Sequence, residues 1–313
     1  MQFGFGVDLG GTTVKLACFN TDGVLLHKWE IPTDRTESGK NILPDIARSV
    51  REYIADKNLD LHTLLGIGIG VPGPVHPDGT VGGCVNLGWG EKNIEKELSG
   101  LTGLPVKAGN DATVAALGEC WKGGGQGCMD MLFVTLGTGV GGGIVVGGKP
   151  VHGVHGAGGE IGHMVLNREE TETCGCGKRG CVEQYCSATG ILRVAKQMLA
   201  KTDAPSSLRN TPALTAKDIF DAAKTGDRLA AEILEQVYAY MGEFVANICC
   251  VTDPEKVVFG GGVSKAGDIL LRGVARHFEQ YAFPGCRQTE FALATLGNDA
   301  GAYGAFKLIL GEE

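Results

Sequence analysis

The opening of the chain recurs, and this limits the folds open to it more than any other feature. Phe5-Gly-Val-Asp-Leu-Gly-Gly-Thr-Thr-Val-Lys15 lays over Phe133-Val-Thr-Leu-Gly-Thr-Gly-Val-Gly-Gly-Gly143. Each is a β-type run, a Gly/Thr turn and a second β-type run. Two such copies about 130 residues apart imply a duplicated βββαβα unit, hence an α/β fold of two lobes around an interlobe cleft. The expected lobes are residues 1–118 joined by a C-terminal helix over 298–313, and residues 119–297.

Local patterns fill in this frame. Val24–Ile31 reads as the third strand of a meander, and Ile46, Val50 and Ile54 mark a helix by their spacing. Leu64–Gly70 is a buried strand that Pro72 and Pro74 must stop. Ile94, Leu98 and Leu101 mark a further helix, and Val106–Gly109 reads as a strand. Asn110-Asp111-Ala112 then opens a helix running to about Trp121. Val182–Ala200, Thr215–Thr225 and Arg228–Val251 read as helices, with a polar loop over Leu199–Pro212. Lys256–Phe259 is a strand ending in Gly260-Gly261-Gly262, and Ser264 is expected to cap a helix reaching Tyr281. Glu290–Thr295 reads as a last strand, and Asn298–Leu310 as a helix of small residues that packs back on the first half.

Between Gly153 and Glu183 lies a ligand set with metal spacing: His163, then Cys174-x-Cys176-x-x-x-x-Cys181. Three thiolates and one imidazole make a closed tetrahedral set suited to Zn²⁺, with no open position for a water, so the metal reads as structural. Gly175, Gly177 and Gly180 would give the tight turns that gather the sulfurs. The competing reading is a set of unrelated free thiols, in a chain with 11 cysteines. The loop expected to bind zinc spans 159–183.

Asp8-Leu-Gly10-Gly11-Thr12-Thr13-x-Lys15 sits at a hairpin turn. Successive glycine N–H groups and two hydroxyls would form a nest-type phosphate cradle, with Asp8 placed to suit Mg²⁺ directly or through water. The plainer alternative is a tight hairpin. Gly137-Thr138-Gly139 would be a second cradle, and Gly260-Gly261-Gly262 a third, where backbone can approach an adenine-ribose. Two matches to a dinucleotide fingerprint, Gly68-x-Gly70-x-x-Gly73 and Gly137-x-Gly139-x-x-Gly142, run into prolines and a β-run instead of the helix that fingerprint needs. Asp111 is either an N-cap or a base accepting a hydroxyl proton as that oxygen attacks a γ-phosphoryl. Glu160 and Glu183, beside His163, are either surface acids or acceptors for sugar hydroxyls. Asn86, before a turn, is a further polar candidate.

The 43% hydrophobic share of 313 residues is ample for a packed core, and 51 glycines argue against a helical bundle. A net charge of −8 with no basic run disfavours nucleic acid and anionic membranes as partners. No apolar run reaches the roughly 18–20 residues of a membrane span. The absence of a secretory pattern and the odd number of cysteines fit a reducing cytoplasm.

In combination, DLGGTTVK from Asp8, VPGPV at 71–75, NLGW at 86–89, NDA at 110–112, LGTGVGGGI at 136–144, GEIGH at 159–163 and CGCGKRGC at 174–181 resemble the ROK family of sugar kinases, repressors and open reading frames. The closest likeness is to bacterial members that phosphorylate glucose. The resemblance implies the RNase H-like fold of the hexokinase–actin superfamily and ATP-dependent phosphorylation of a hexose, with Asp111 as base. It implies sugar contacts from Asn110, Asp111, Glu160, His163 and Glu183, and zinc at His163, Cys174, Cys176 and Cys181. It also implies dimers or tetramers. Repressors of the family carry an added DNA-binding segment before the core, for which a strand starting at Phe3 leaves no room. N-acetylmannosamine, N-acetylglucosamine, allose or fructose as the sugar, polyphosphate as donor, and a non-catalytic sugar sensor are the competing readings.

Overall fold

The structure, a computed structural model, describes residues 2–311. Met1, Glu312 and Glu313, at the ends of the expected first lobe, lie outside the described residues. The chain starts as a three-strand meander, β1 (Phe3–Leu9), β2 (Thr13–Asn20) and β3 (Leu25–Pro32). A single turn, α1 (Thr36–Gly39), precedes α2 (Ile42–Asp56), which buries Ile42, Leu43, Ile46, Ala47 and Val50. Then come β4 (Leu64–Val71), the short pair β5 (Thr80–Val81) and β6 (Lys92–Asn93), α3 (Ile94–Thr102), β7 (Val106–Asn110) and α4 (Asp111–Lys122). The second run comprises β8 (Met131–Leu136), β9 (Val140–Val146), β10 (Lys149–Pro150), α5 (Glu183–Cys186), α6 (Ala188–Lys201), α7 (Ala216–Lys224) and α8 (Arg228–Thr252). It ends with β11 (Lys256–Gly260), α9 (Gly261–Ser264), α10 (Asp268–Tyr281), β12 (Glu290–Leu293) and α11 (Ala300–Leu310).

Two five-stranded sheets result, in the orders β3-β2-β1-β4-β7 and β10-β9-β8-β11-β12. Numbered by the strands of that sheet alone, each reads 3-2-1-4-5. In the first, β1 pairs antiparallel with β2 and parallel with β4. In the second, β11 pairs parallel with both β8 and β12. These are mixed α/β sheets.

The chain divides into two compact units: 1–129 with 143–159 and 295–313, and 130–142 with 160–294. The boundary expected at 118 falls inside α4. Glu119 ties that helix end to the first unit. It is fully buried, and its carboxylate accepts N–H bonds from Gly124 (2.8 Å), Thr295 (3.0 Å) and Leu296 (2.9 Å). A buried carboxylate is tolerated only when so satisfied.

Within the first unit, α11 lies on β1 and β4 because both surfaces lack side chains. A Cβ on Gly68 would stand 1.6 Å from the Ala305 carbonyl oxygen, and one on Gly304 would stand 1.6 Å from that of Val114 on α4. The AGAYGA run of α11 is therefore a close-packing surface.

Two helix boundaries differ from expectation. The helix expected over Val182–Ala200 breaks at Ser187, whose ψ of 168° is extended and whose hydroxyl accepts the Gly190 N–H to start α6. Ser264 does not cap the helix to Tyr281. Its hydroxyl donates back to the Gly261 carbonyl, and α10 starts after Gly267, at φ 78°.

Candidate functional site

In the first unit, β7 ends where α4 starts, and Asn110 is the N-cap: its side chain accepts the Thr113 N–H at 3.1 Å and donates to the Gly73 carbonyl at 3.1 Å. Asp111 is thus relieved of capping. It is exposed at the first helical position, and its Oδ1 accepts the Ala112 N–H at 2.8 Å.

Asp8 and Lys15 face each other across the β1–β2 register and form an ion pair at 3.3 Å. The turn between them closes through the Gly10 N–H to the Thr13 carbonyl at 3.0 Å. Neither Gly10 nor Gly11 adopts the left-handed φ region. A Cβ on Gly11 would meet nothing within 4 Å, and the turn surface stays open to a close-approaching group. Asn86 stands exposed on a short turn, Val85–Leu87.

In the second unit, the Gly137-Thr138-Gly139 turn is latched by the start of α6: the Ala188 N–H donates to the Gly137 carbonyl, and the Thr189 hydroxyl to that of Thr138. Glu183 Oε2 accepts the Val140 N–H at 3.1 Å, and a Cβ at position 139 would come within 2.3 Å of that oxygen. Glycine at 139 therefore lets this carboxylate lie against the turn. Gly261, at φ 82°, packs under the end of β8, where a Cβ would stand 2.5 Å from the Leu136 carbonyl oxygen. Beside Gly262 opens a cavity of about 310 Å³ whose lining includes Phe220, Val263 and Ala266 together with Lys217, Asp221 and Lys265. The sequence reading missed it, because α7 and α9 build it jointly. The Thr215/Asp218 capping box that starts α7 was the only local signal.

His163, Cys174, Cys176 and Cys181 converge, their ligand atoms all within 4.8 Å of one another. Cys176 Sγ lies 3.6 Å from Cys181 Sγ, and Cys174 Sγ lies 3.8 Å from His163 Nδ1. Tetrahedral ligands at zinc distances stand roughly 3.3–3.8 Å apart, so the donor set fits such an ion. His163 turns its other nitrogen, Nε2, toward Glu160 at 3.9 Å. Cys174 Sγ also lies 3.7 Å from Glu183 Oε1, which joins the sulfur cluster to the glycine turn through one carboxylate. Gly177 and Gly180 sit at φ 86° and 73°, and a Cβ on Gly180 would collide with the Asn167 carbonyl oxygen at 1.7 Å; Gly175 has no such requirement.

A sequence profile of the ROK family matches residues 4–312. A glucokinase of Halalkalibacterium halodurans is 44% identical, over 98% of this chain and 95% of its own. The crystal structure of a ROK hexokinase from Thermus thermophilus superposes with a TM-score of 0.81 at 30% identity, covering 97% of this chain and 96% of that one. A ROK family glucokinase from Streptomyces griseus, in complex with glucose and AMPPNP, gives 0.72 at 30% identity, with 97% of each chain covered. The chain belongs to the ROK family.

Proposed function

We propose that the protein is an ATP-dependent hexose kinase that transfers the γ-phosphoryl of ATP to the 6-hydroxyl of D-glucose. One observation carries the assignment of the base: Asn110 takes the cap of α4 and leaves the Asp111 carboxylate exposed at the helix start. Asp111 accepts the 6-hydroxyl proton as that oxygen attacks the phosphorus. A strong base is not required, since phosphoryl transfer depends mostly on positioning and charge neutralisation.

Glu160, His163, Glu183, Asn110 and Asn86 hold the sugar hydroxyls. The turns at Gly10–Thr13 and Gly137–Gly139 receive phosphates with Lys15 nearby, and Asp8 holds the Mg²⁺ of Mg-ATP directly or through water. The cavity beside Gly260–Gly262 has the size and apolar floor for an adenine-ribose. His163, Cys174, Cys176 and Cys181 hold a structural Zn²⁺. With Nδ1 as the zinc ligand, Nε2 of His163 stays available to a hydroxyl, in an orientation the metal fixes.

The matching sheet orders support a duplicated RNase H-like core. Among the described residues, no helix is long and apolar enough to cross a membrane. Assembly into dimers or tetramers is part of the same reading.

The test is coupled ADP release over a hexose panel at fixed Mg-ATP, including N-acetylated sugars, allose and fructose, with polyphosphate as an alternative donor. Highest kcat/KM on glucose with ATP is expected. A higher value on an N-acetylated sugar reassigns the substrate, and no turnover with sugar binding retained makes the protein a sensor.

A further inference from the structure

Three thiols that the proposed reaction does not use meet at the end of α8. Cys249 is buried and Cys250 exposed on its last turn. Cys286 comes from the turn Pro284–Gln288 after α10, is buried, and donates from its sulfur to the Cys249 carbonyl at 3.4 Å. That bond seats the Cys286 sulfur against the turn that carries Cys250, with the Cys250 thiol and the Asp253 carboxylate as its electrostatic neighbours. Asp253 is held there as the left-handed C-cap of α8, at φ 40°. The Thr289 hydroxyl, bonded to the Pro254 carbonyl at 3.0 Å, pins the turn to the chain leaving α8. Among the described residues, the one group of histidines, cysteines and acids that could hold a metal is the His163 cluster, so these thiols do not form a second such site.

An exposed thiol beside a buried one is the arrangement in which one sulfur is oxidised and the other resolves it. We propose that Cys250 and Cys286 are a redox pair, closed to a disulfide by a hydroperoxide. The Cys250 sulfur attacks a peroxide oxygen, and the O–O bond breaks. Cys250 becomes a sulfenic acid, and the second peroxide oxygen leaves as an alcohol, or as water from hydrogen peroxide. The Cys286 sulfur then attacks the Cys250 sulfur, the S–O bond breaks, and the departing hydroxide takes the Cys286 proton to leave as water. The two thiols together lose two electrons, and the peroxide gains them.

Burial and the Asp253 carboxylate hold Cys286 in its protonated form, which keeps it second in the sequence. Cys249 is excluded as partner. It adjoins Cys250 within helical backbone, and it packs toward Thr289. The ring so closed contains β11, α9 and α10, and with them the Gly260–Gly262 turn.

The full-length protein, with its metal in place, is treated with a small molar excess of hydrogen peroxide, its remaining thiols are alkylated, and it is peptide-mapped without reductant. The expected product joins the Cys250 and Cys286 peptides within one chain, with fragment ions assigning Cys250 and not Cys249, and dithiothreitol reverses it. Cys250→Ser should abolish the joined peptide and leave Cys286 alkylated. Cys286→Ala should leave Cys250 as a sulfenic acid that dimedone traps. Cys250 recovered fully alkylated, Cys250 joined to Cys249, or Cys250 joined to a second chain would each overturn the pair. Because Cys250 is exposed, Cys250→Ser tests the idea even if Cys286→Ala fails to fold.

Discussion

Asp111 and the Glu160–His163–Glu183 set belong to different units and are held by different means. Asp111 stands where a strand becomes a helix, and regular backbone bonding with one cap residue sets its place. Residues 160–182 contain only a three-residue turn, Ile161–His163, and isolated bridges such as Val165 with Cys181. Their order comes from a few carbonyl bonds at Gly180, one obligatory glycine, the sulfur cluster and side-chain contacts such as Arg193 with Glu170 and Glu172. The proposed base is thus positioned by secondary structure, and the proposed sugar contacts by a sulfur cluster that offers a metal's ligand set. Loss of the metal should disable the second while sparing the first.

The largest effect should follow from removing one ligand. Cys181→Ala should release about one zinc per chain and destabilise the second unit by several kcal/mol, since a structural zinc contributes folding energy outright. Metal analysis with thermal unfolding checks this; full zinc content at unchanged Tm would break the comparison. The first unit has its own buried anchor in Glu119, where Glu119→Gln turns an amide N–H₂ toward backbone donors and should cost about 2–3 kcal/mol with zinc fully retained. Urea denaturation reads that cost, and a loss of zinc alongside it would mean the two regions are not held separately.

Glu183→Gln keeps an acceptor for the Val140 N–H but removes a charge, so the glucose KM should rise about tenfold while the ATP KM moves far less. Equal effects on both would assign Glu183 to the glycine turn alone.

The smallest effect concerns Glu170, which braces the loop before the cysteines. Burial alone would raise its carboxyl pKa, but hydrogen bonds from Tyr185, the Glu172 N–H and Arg193 outweigh this and bring it from 4.5 to about 2. The folded value lies below the unfolded one. The stabilisation is therefore complete above the ordinary glutamate range and is lost as pH falls from about 4.5 through about 2. Glu170→Gln should flatten the pH dependence of stability in that window, read by denaturation at graded pH; an unchanged slope would remove the brace.

What the sequence revealed follows the same division. The meander, the strand-to-helix step at Asn110-Asp111 and the cysteine spacing are local patterns, and residue type alone carried them. The break at Ser187 was hidden because an extended serine inside an apolar periodic run leaves the periodicity intact. Asn110 and Asp111 are both good caps, and choosing between them needed the bond to Thr113. The cavity beside Gly262 and the carboxylate of Glu119 depend on segments far apart in the chain, which no local pattern reports.

The most direct test is Asp111→Asn, an almost isosteric change that removes only the ability to take a proton. With glucose and Mg-ATP, kcat should fall on the order of 10²–10⁴-fold, while glucose still raises the Tm of the variant as it does that of the wild type. Turnover within a few-fold of wild type would contradict the account.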